Sequence, residues 1–439
     1  MRSICAGAAR RARPEGGSPA VPFEVLRYEI SHKSLQFRTD PDMHLYSLDV
    51  NVSQTDTAEQ RLAVPRTDTP RQRLAFLDAL RGLAASITVL YHLAYVGGVR
   101  IPPGFSGFVN FGATGVMLFF VVSCFSLFYT MPGRLKQSRP LLSFYIHRFF
   151  RIAPLFYLWI IIQCVLSAKV YGVEKWSAGL WQNVFFVFNL FPGKQTGIVM
   201  ASWTIGVEML FYAVFPLIYF KTKNVIDAIA LTVGTMLVYL LTLFLLPRLR
   251  IGAAAAASYE AWFFLKDIPI FAFGTICFFI VRDRLVARGG DRDRAMGFFL
   301  LLIATYLMVA RGAGWVGDGV FGGHPYVWPT ISYSLLLIGL SLNPLKLLVN
   351  RVTQFLAAVS YSLYLAHAPM ILILRPVYAR IMSAVTSPLV GYIACAAFTF
   401  AVVLPLAYLT YRFVELPGIQ LGKAFYARVV RRKAVQVQL

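Results

Sequence analysis

The sequence predicts an all-α integral membrane protein, a bundle of about ten transmembrane helices with both termini in the cytoplasm. Three observations lead there. Of 439 residues, 58% are hydrophobic and only 14% are charged, where a soluble chain would carry about a quarter. Ten apolar segments approach or exceed the ~20 residues that a helix needs to cross the hydrocarbon core. The 42 Lys and Arg, set against 20 Asp and Glu, are concentrated in alternate connecting segments. The apolar content excludes a disordered chain, and five cysteines in so long a chain exclude a disulfide scaffold. Nucleic-acid binding would account for the net charge of +22 but not for 15% aromatic residues or a mean hydropathy of +0.63. No nucleic acid is expected as a partner.

Residues 1–73 carry 11 basic and nine acidic residues with no apolar run of signal-peptide length. They read as a partly disordered cytoplasmic tail, and a start at Met43 would remove the first 42 residues. The spans follow at 74–96, 109–131, 152–170, 201–220, 225–247, 261–281, 296–311, 326–343, 353–374 and 388–410. The segment 182–192 is apolar but too short to cross and ends at Pro192, so it reads as interfacial or re-entrant. Residues 74–418 form the transmembrane domain, and 419–439 a basic cytoplasmic tail. With the N-terminus inside, the inner segments hold 31 Lys and Arg and the outer loops nine. Without the two tails the inner loops still lead by 14 to nine, which the positive-inside rule reads as cytoplasmic. Cys124, Cys164, Cys277 and Cys395 lie within spans and Cys5 in the tail. No spacing suits a metal or a disulfide, and they read as small buried apolar residues.

Ionisable groups within spans are costly and are functional candidates by default. In the first span Arg81 and His92 are eleven residues apart, on one helix face and roughly 16 Å apart along the axis. Asp78 lies near that face. If Arg81 marks the cytoplasmic edge, His92 reaches about half-way across a ~30 Å core. The bland alternative is a snorkelling anchor and a histidine bonded to a carbonyl. His147, Arg148 and Arg151 fall on the inner side, and Arg148 and Arg151 share a face. Two guanidiniums there suit a phosphate-rich ligand or, equally, anionic membrane lipid. Glu208 in the fourth span needs a proton or a partner. His92 is the partner expected, with Tyr212 four residues on from Glu208. In the ninth span Ser360 and His367 share a face, while Trp203, Tyr361 and Tyr364 read first as belt or packing aromatics. Ser123 could bond across helices, with packing its first reading. Lys266 and Asp267 complete the set of intramembrane charges, and Asp227 marks an interface.

The order of these motifs resembles the membrane acyltransferase-3 family over roughly residues 74–418. Arg81-x10-His92 with its LDALRG lead-in is similar to the family's basic-x10-His signature. GVMLFFVVSCF resembles its second-span motif, and Arg148-x-x-Arg151-Ile-Ala-Pro its R-x-x-R-I-x-P. SWTIGVEMLFYAVFP, SYSLYLAH and YRFVELP resemble the later motifs, the last supplying Glu415. The chain departs from the pattern at Cys124, which replaces a glycine, and at Gly206 and Met209 beside Glu208. It stops about 20 residues after Pro417, as the stand-alone form of the family does.

The resemblance implies an O-acyltransferase of the bacterial inner membrane. It would use cytoplasmic acyl-CoA, with acetyl the commonest acyl group, as donor substrate and bind no separate cofactor. The acceptor would be an extracytoplasmic or lipid-linked carbohydrate, such as a polysaccharide, lipopolysaccharide or exopolysaccharide. His92 and Glu208 would be the catalytic pair. Arg81, Arg148 and Arg151 would bind the donor. Asp78, Tyr212, Ser360, Tyr361, His367 and Glu415 would be further site residues. The competing class is a glycolipid carrier or flippase in which His92 and Glu208 relay protons.

Overall fold

The computed structural model describes residues 74–171, 179–249, 251–285, 290–315 and 326–436, with side chains 169–171 and 431–436 excepted. The tail read at 1–73, and Cys5 within it, lies outside the described residues, as do 437–439. Every described element is helical, and all ten apolar segments fold as helix. The helices are α1 (Ala75–Tyr95), α2 (Ser106–Phe111), α3 (Gly115–Leu135), α4 (Pro140–Tyr171), α5 (Leu180–Val184), α6 (Trp203–Lys221), α7 (Val225–Leu245) and α8 (Ala253–Trp262). Then follow α9 (Phe264–Val281), α10 (Asp291–Gly312), α11 (Val327–Leu342), α12 (Arg351–Ala358), α13 (Ser360–Ile373), α14 (Arg375–Ala384), α15 (Pro388–Thr410) and α16 (Leu416–Gln436).

Seven helical stretches among the described residues are long and apolar enough to cross a membrane, or eight if the bent pair α12 and α13 counts as one span. The two remaining expected spans are α1, which carries Asp78, Arg81 and His92, and α11, with 16 residues. Three boundaries differ from the sequence reading. Helix α4 begins at Pro140, so His147, Arg148 and Arg151 ride on the same rigid helix as the apolar span and not on a loop. The expected ninth span breaks at Val359 with a 73° bend between α12 and α13. The last span does not end at 410; it runs through a π turn at Tyr411–Glu415 into α16. The apolar stretch 182–192 folds as α5 and a single 3₁₀ turn at Phe188–Leu190, too short to cross. Asn183 and Asn189 are buried there. Asn183 Oδ1 accepts from Ile198 N at 2.9 Å, and Asn189 bonds Trp262 O at 2.7 Å and Phe264 N at 2.8 Å.

Lipid offers apolar side chains no less welcome than a neighbouring helix does, so membrane helices associate through close packing of small residues and shape-matched side chains. Helix α1 packs against α3, α12 and α13; α3 and α7 pack on α9; α10 packs on α11 and α16 on α4. Glycines set the closest approaches. A Cβ at Gly82 would lie 2.5 Å from Thr353 O on α12, and one at Gly115 would lie 2.4 Å from Thr88 Oγ1 and 2.9 Å from Ala84 O on α1. Where Cys124 stands in place of the glycine of the resembling motif, the small partner is on the facing helix. Gly274 brings α9 so near that a Cβ there would meet Val121 O at 2.4 Å, and Cys124 Sγ lies 3.2 Å from Thr275 Oγ1. Gly206 likewise leaves room for the Phe188 ring, 2.8 Å from where its Cβ would be. Stacked rings, Phe120 on Phe271 at 4.4 Å and Phe211 on Phe271 at 3.9 Å, fill the α3–α6–α9 core.

The α1–α3 contact carries Thr88, which in turn holds His92. Gly115→Val should therefore force these helices apart at a cost of about 1–3 kcal/mol. Thermal unfolding of the purified variant in detergent should show the lower midpoint.

Candidate active site

A cavity of about 60 Å³ opens between α1, α3, α6 and α13. One water needs about 10–15 Å³ on this scale, so the space holds a few waters or a short acyl group. Arg81, Ser123, Thr204, Glu208, Ser360, Tyr361 and Tyr364 give it polar walls, and Val116, Phe119, Phe120 and Ile205 apolar ones. The broken helix places the α13 residues. Ser360 sits at the first position after the break and its hydroxyl bonds Ala357 O at 2.9 Å. Tyr361 follows, bonding Ile152 O on α4 at 2.8 Å.

At one end of the cavity charge is gathered. Arg81 lies within electrostatic range of Arg148, Arg151, Glu208 and Tyr212. Glu415, brought inward by the π turn, is in range of Arg151 and Arg81. None of the ion pairs among the described residues uses these three arginines. The Arg148 guanidinium stands 5.2 Å from the centre of the Tyr212 ring, and its buried Nε has no hydrogen-bond partner. Both carboxylates are instead held by hydroxyls. Glu208 accepts from Ser123 Oγ at 3.0 Å and from Tyr212 OH, one turn along its own helix. Glu415 is buried and accepts from Ser362 Oγ at 3.0 Å. Three cations face two carboxylates, an excess of positive charge in a confined place that suits a polyanionic ligand.

Behind the cavity wall at Tyr364 stand two histidines, neither of which lines the cavity. His92 lies in the last turn of α1. His92 Nδ1 is 2.9 Å from Thr88 O and 3.2 Å from His367 Nε2. His367 is buried, with Nδ1 2.5 Å from Tyr364 O. The Tyr364 ring packs against His367 at 5.3 Å and reaches the cavity wall, where its hydroxyl accepts from Thr204 Oγ1 at 2.8 Å and donates to Ala201 O at 3.0 Å. Ala201 holds a left-handed backbone, φ 64°, to present that carbonyl, a conformation that costs a non-glycine residue of order 1 kcal/mol or more and is found disproportionately at functional sites.

The structure thus gathers Arg81, Arg148, Arg151, Glu208, Tyr212, Ser360, Tyr361 and Glu415 around or beside one cavity, and joins His92 to His367. The pairing of His92 with Glu208 expected from the sequence is not made. Glu208 Oε1 accepts from both Ser123 and Tyr212 at the arginine end, and His367 takes the place beside His92. Spacing within a helix fixes faces, but it does not fix the register between helices. Asp78, in the first turn of α1, does not line the cavity. Ser123, read as packing, is a carboxylate ligand, and Tyr361 and Tyr364, read as belt or packing aromatics, line the cavity. Thr204 and Ser362 lie within the SWTIGVEMLFYAVFP and SYSLYLAH motifs but are not among the site residues read from them. Lys266 and Asp267 are buried elsewhere, with Lys266 Nζ 5.8 Å from the Trp203 and Trp262 ring centres and 4.7 Å from that of Tyr326.

The acyltransferase domain family matches residues 74–408 of this chain. The chain is also similar to an O-acetyltransferase OatA of Staphylococcus aureus strain MRSA252, 24% identical over 410 residues, covering 82% of this chain and 59% of that protein. The OatA of strain NCTC 8325 / PS 47 is 25% identical over 409 residues, covering 81% and 59%. The chain therefore spans about three fifths of the length of these relatives. No solved structure matches it.

Ser123→Ala and Tyr212→Phe each remove one of two donors to a carboxylate in a poorly hydrated site. Each should destabilise the protein by about 1–3 kcal/mol. Because the two donors share one acceptor, the double variant should depart from additivity. Thermal unfolding of the two single variants and the double, in one detergent, measures both effects.

Proposed function

We propose, since the chain belongs to the membrane acyltransferase-3 family, that this multi-pass membrane protein is an O-acyltransferase. It moves an acyl group, acetyl first among the alternatives, from cytoplasmic acyl-CoA to a hydroxyl of an extracytoplasmic or lipid-linked carbohydrate. In this reading it lies in a bacterial inner membrane with both termini in the cytoplasm. The excess of basic residues on the inner segments supports that orientation. The O-acetyltransferase name of the relatives supports the acetyl group and the oxygen acceptor.

The observation that carries the reading is a cavity lined by Arg81, which has Arg148 and Arg151 within electrostatic range, with an imidazole pair one residue beyond its Tyr364 wall. The phosphates of the donor dock on Arg148 and Arg151, with Arg81 at the cavity mouth. Guanidiniums grip phosphate oxygens bidentately, and a buried Nε without a partner is a donor kept for such a ligand. The thioester then enters the cavity towards His92. A lone pair on the imidazole takes the proton of the acceptor hydroxyl as its oxygen attacks the thioester carbon. The C–S bond breaks, the ester forms, and the proton leaves with the thiolate as CoA-SH. General-base assistance of this kind contributes typically about 10²–10⁴-fold in rate. The alternative covalent route places the acyl group on His92 first and passes it to the hydroxyl second.

Purified protein in lipid nanodiscs, incubated with labelled acetyl-CoA and a surface glycan acceptor, tests the reading. His92→Ala should lower acetyl transfer by about 10²–10⁴-fold while leaving membrane insertion unchanged. Full activity in that variant would remove His92 from the chemistry. CoA released before any acceptor is added, with label kept on the protein, selects the acyl-carrier route; release only with acceptor selects the base. Movement of glycolipid without CoA release would return the carrier reading. Arg148→Gln and Arg151→Gln should raise the KM for acetyl-CoA more than they lower kcat, which steady-state kinetics at varied donor concentration would separate.

A further inference from the structure

We infer that His367 is the positioning residue of His92: together with the Thr88 carbonyl it fixes which imidazole nitrogen carries the proton and stops the ring from turning. The assignment of Nε2 as the reacting atom rests on the acyl transfer proposed above; the assignment of the tautomer does not.

The direction of the hydrogen bonds follows from the atoms that cannot donate. His367 Nδ1 is 2.5 Å from Tyr364 O. A carbonyl oxygen only accepts, so this nitrogen carries the hydrogen, and in a neutral imidazole the other nitrogen then offers a lone pair. That other nitrogen, Nε2, faces His92 Nδ1 at 3.2 Å. His92 Nδ1 has a second neighbour, Thr88 O, at 2.9 Å. Both neighbours accept, so His92 Nδ1 must donate. The remaining nitrogen of His92, Nε2, is therefore bare and is the one that has a lone pair for an acceptor hydroxyl or an acyl carbon. Proton direction runs one way along the chain, from His92 to His367 to the Tyr364 carbonyl.

The two acceptors do different work. Thr88 lies one turn back on the same helix, so its carbonyl alone would fix the proton but leave the ring free to pivot about that bond. His367 comes from another helix and closes the pivot. Its own position is fixed from a third helix, since the Tyr364 hydroxyl is tied to Thr204 and to Ala201 of the α6 entry. His367 has no exposed surface, so water does not compete for its lone pair. The Tyr91 ring also lies 5.1 Å from that of His92, and among the described residues no carboxylate bonds either histidine. A neutral imidazole thus occupies the orienting place that many catalytic histidines give to a carboxylate.

Two substitutions separate positioning from simple packing. The amide of Gln reaches about where His Nε2 lies and can accept from His92, while the shorter Asn keeps only the bond to the Tyr364 carbonyl. His367→Gln should keep kcat for acetyl transfer within about threefold. His367→Asn and His367→Leu should lose roughly 10–100-fold, the range seen when a partner that orients a histidine is removed, with an unchanged KM for acetyl-CoA. Equal kcat in Gln and Asn, or wild-type kcat in Leu, would overturn the proposal. The Gln and Asn pair decides if Leu does not fold. A second readout needs no activity. The chain has six histidines, so a ¹⁵N-histidine spectrum in nanodiscs, with His92 identified by its loss in His92→Gln, reads the tautomer directly. A protonated Nδ1 and bare Nε2 are expected, with the signal broadened by a mobile ring in His367→Leu. A protonated Nε2 in the wild type would sink the inference. Absence of acetyl transfer by the wild type would fault the proposed function and leave the spectrum to decide the tautomer.

Discussion

A polar side chain between membrane helices has little water to turn to, so the chain itself must supply its partners. The whole interior of this protein is arranged around that demand. Glu208 on α6 borrows a hydroxyl from Ser123 on α3 and another from Tyr212 one turn below it. Glu415 borrows one from Ser362 on α13. His92 on α1 borrows a lone pair from His367, and His367 a carbonyl from Tyr364. The bonds from Ser123 to Glu208, from Ser362 to Glu415 and between His92 and His367 each tie two elements together, so the site and the bundle hold one another in place. A few buried polar atoms among the described residues go unmatched, Gln163 Oε1 and Asp267 Oδ2 among them, and one of these, Arg148 Nε, stands on the charged side of the cavity. Around the cavity, where Glu208, Glu415 and both imidazoles have partners, an unmatched guanidinium nitrogen suits an anionic ligand.

Such exchange needs helices close enough for short side chains to touch. Ser, Thr and Cys reach only a few ångströms, and the glycines at 82, 115 and 274 bring the helices within that reach. The arrangement also explains why a family position held by glycine tolerates Cys124 here. The contact between α3 and α9 needs one residue without a side chain, and Gly274 supplies it from the other helix. Gly206 works in the same way, admitting Phe188 from the loop that closes the α4–α6 connection. At Cys124 the small residue stands on the facing helix, and at Gly206 it stands on α6 itself.

Where the backbone departs from regular α-helix, the site has a residue. The break at Val359 turns α13 so that Ser360, Tyr361 and Tyr364 meet the cavity. The π turn at Tyr411–Glu415 brings Glu415 to Ser362. A break or an extra residue in a turn rotates everything that follows, which re-aims side chains that a continuous helix would point elsewhere. The left-handed Ala201 does the same for a carbonyl. These three irregularities sit in three different elements and converge on one space.

Much of this was legible in the sequence. Apolar runs of spanning length, basic residues on alternate loops and the spacing from Arg81 to His92 are local properties, and local properties are written along the chain. They determined the helical class, the membrane setting, the family and eight of the residues beside the cavity. What the sequence could not carry is the register of one helix against another. Face and period follow from 3.6 residues per turn, but the axial offset between α1, α6 and α13 is set by where glycines let them close and where α13 breaks. That offset decided that Glu208 answers to Ser123 at the arginine end and that His367 stands beside His92, whereas the Glu208–Tyr212 bond, four residues apart on α6, follows from spacing alone. A hydrogen bond spans about 3 Å and one helical residue rises 1.5 Å. A shift of two residues in register would change every partner in the site while leaving each helix, read alone, the same.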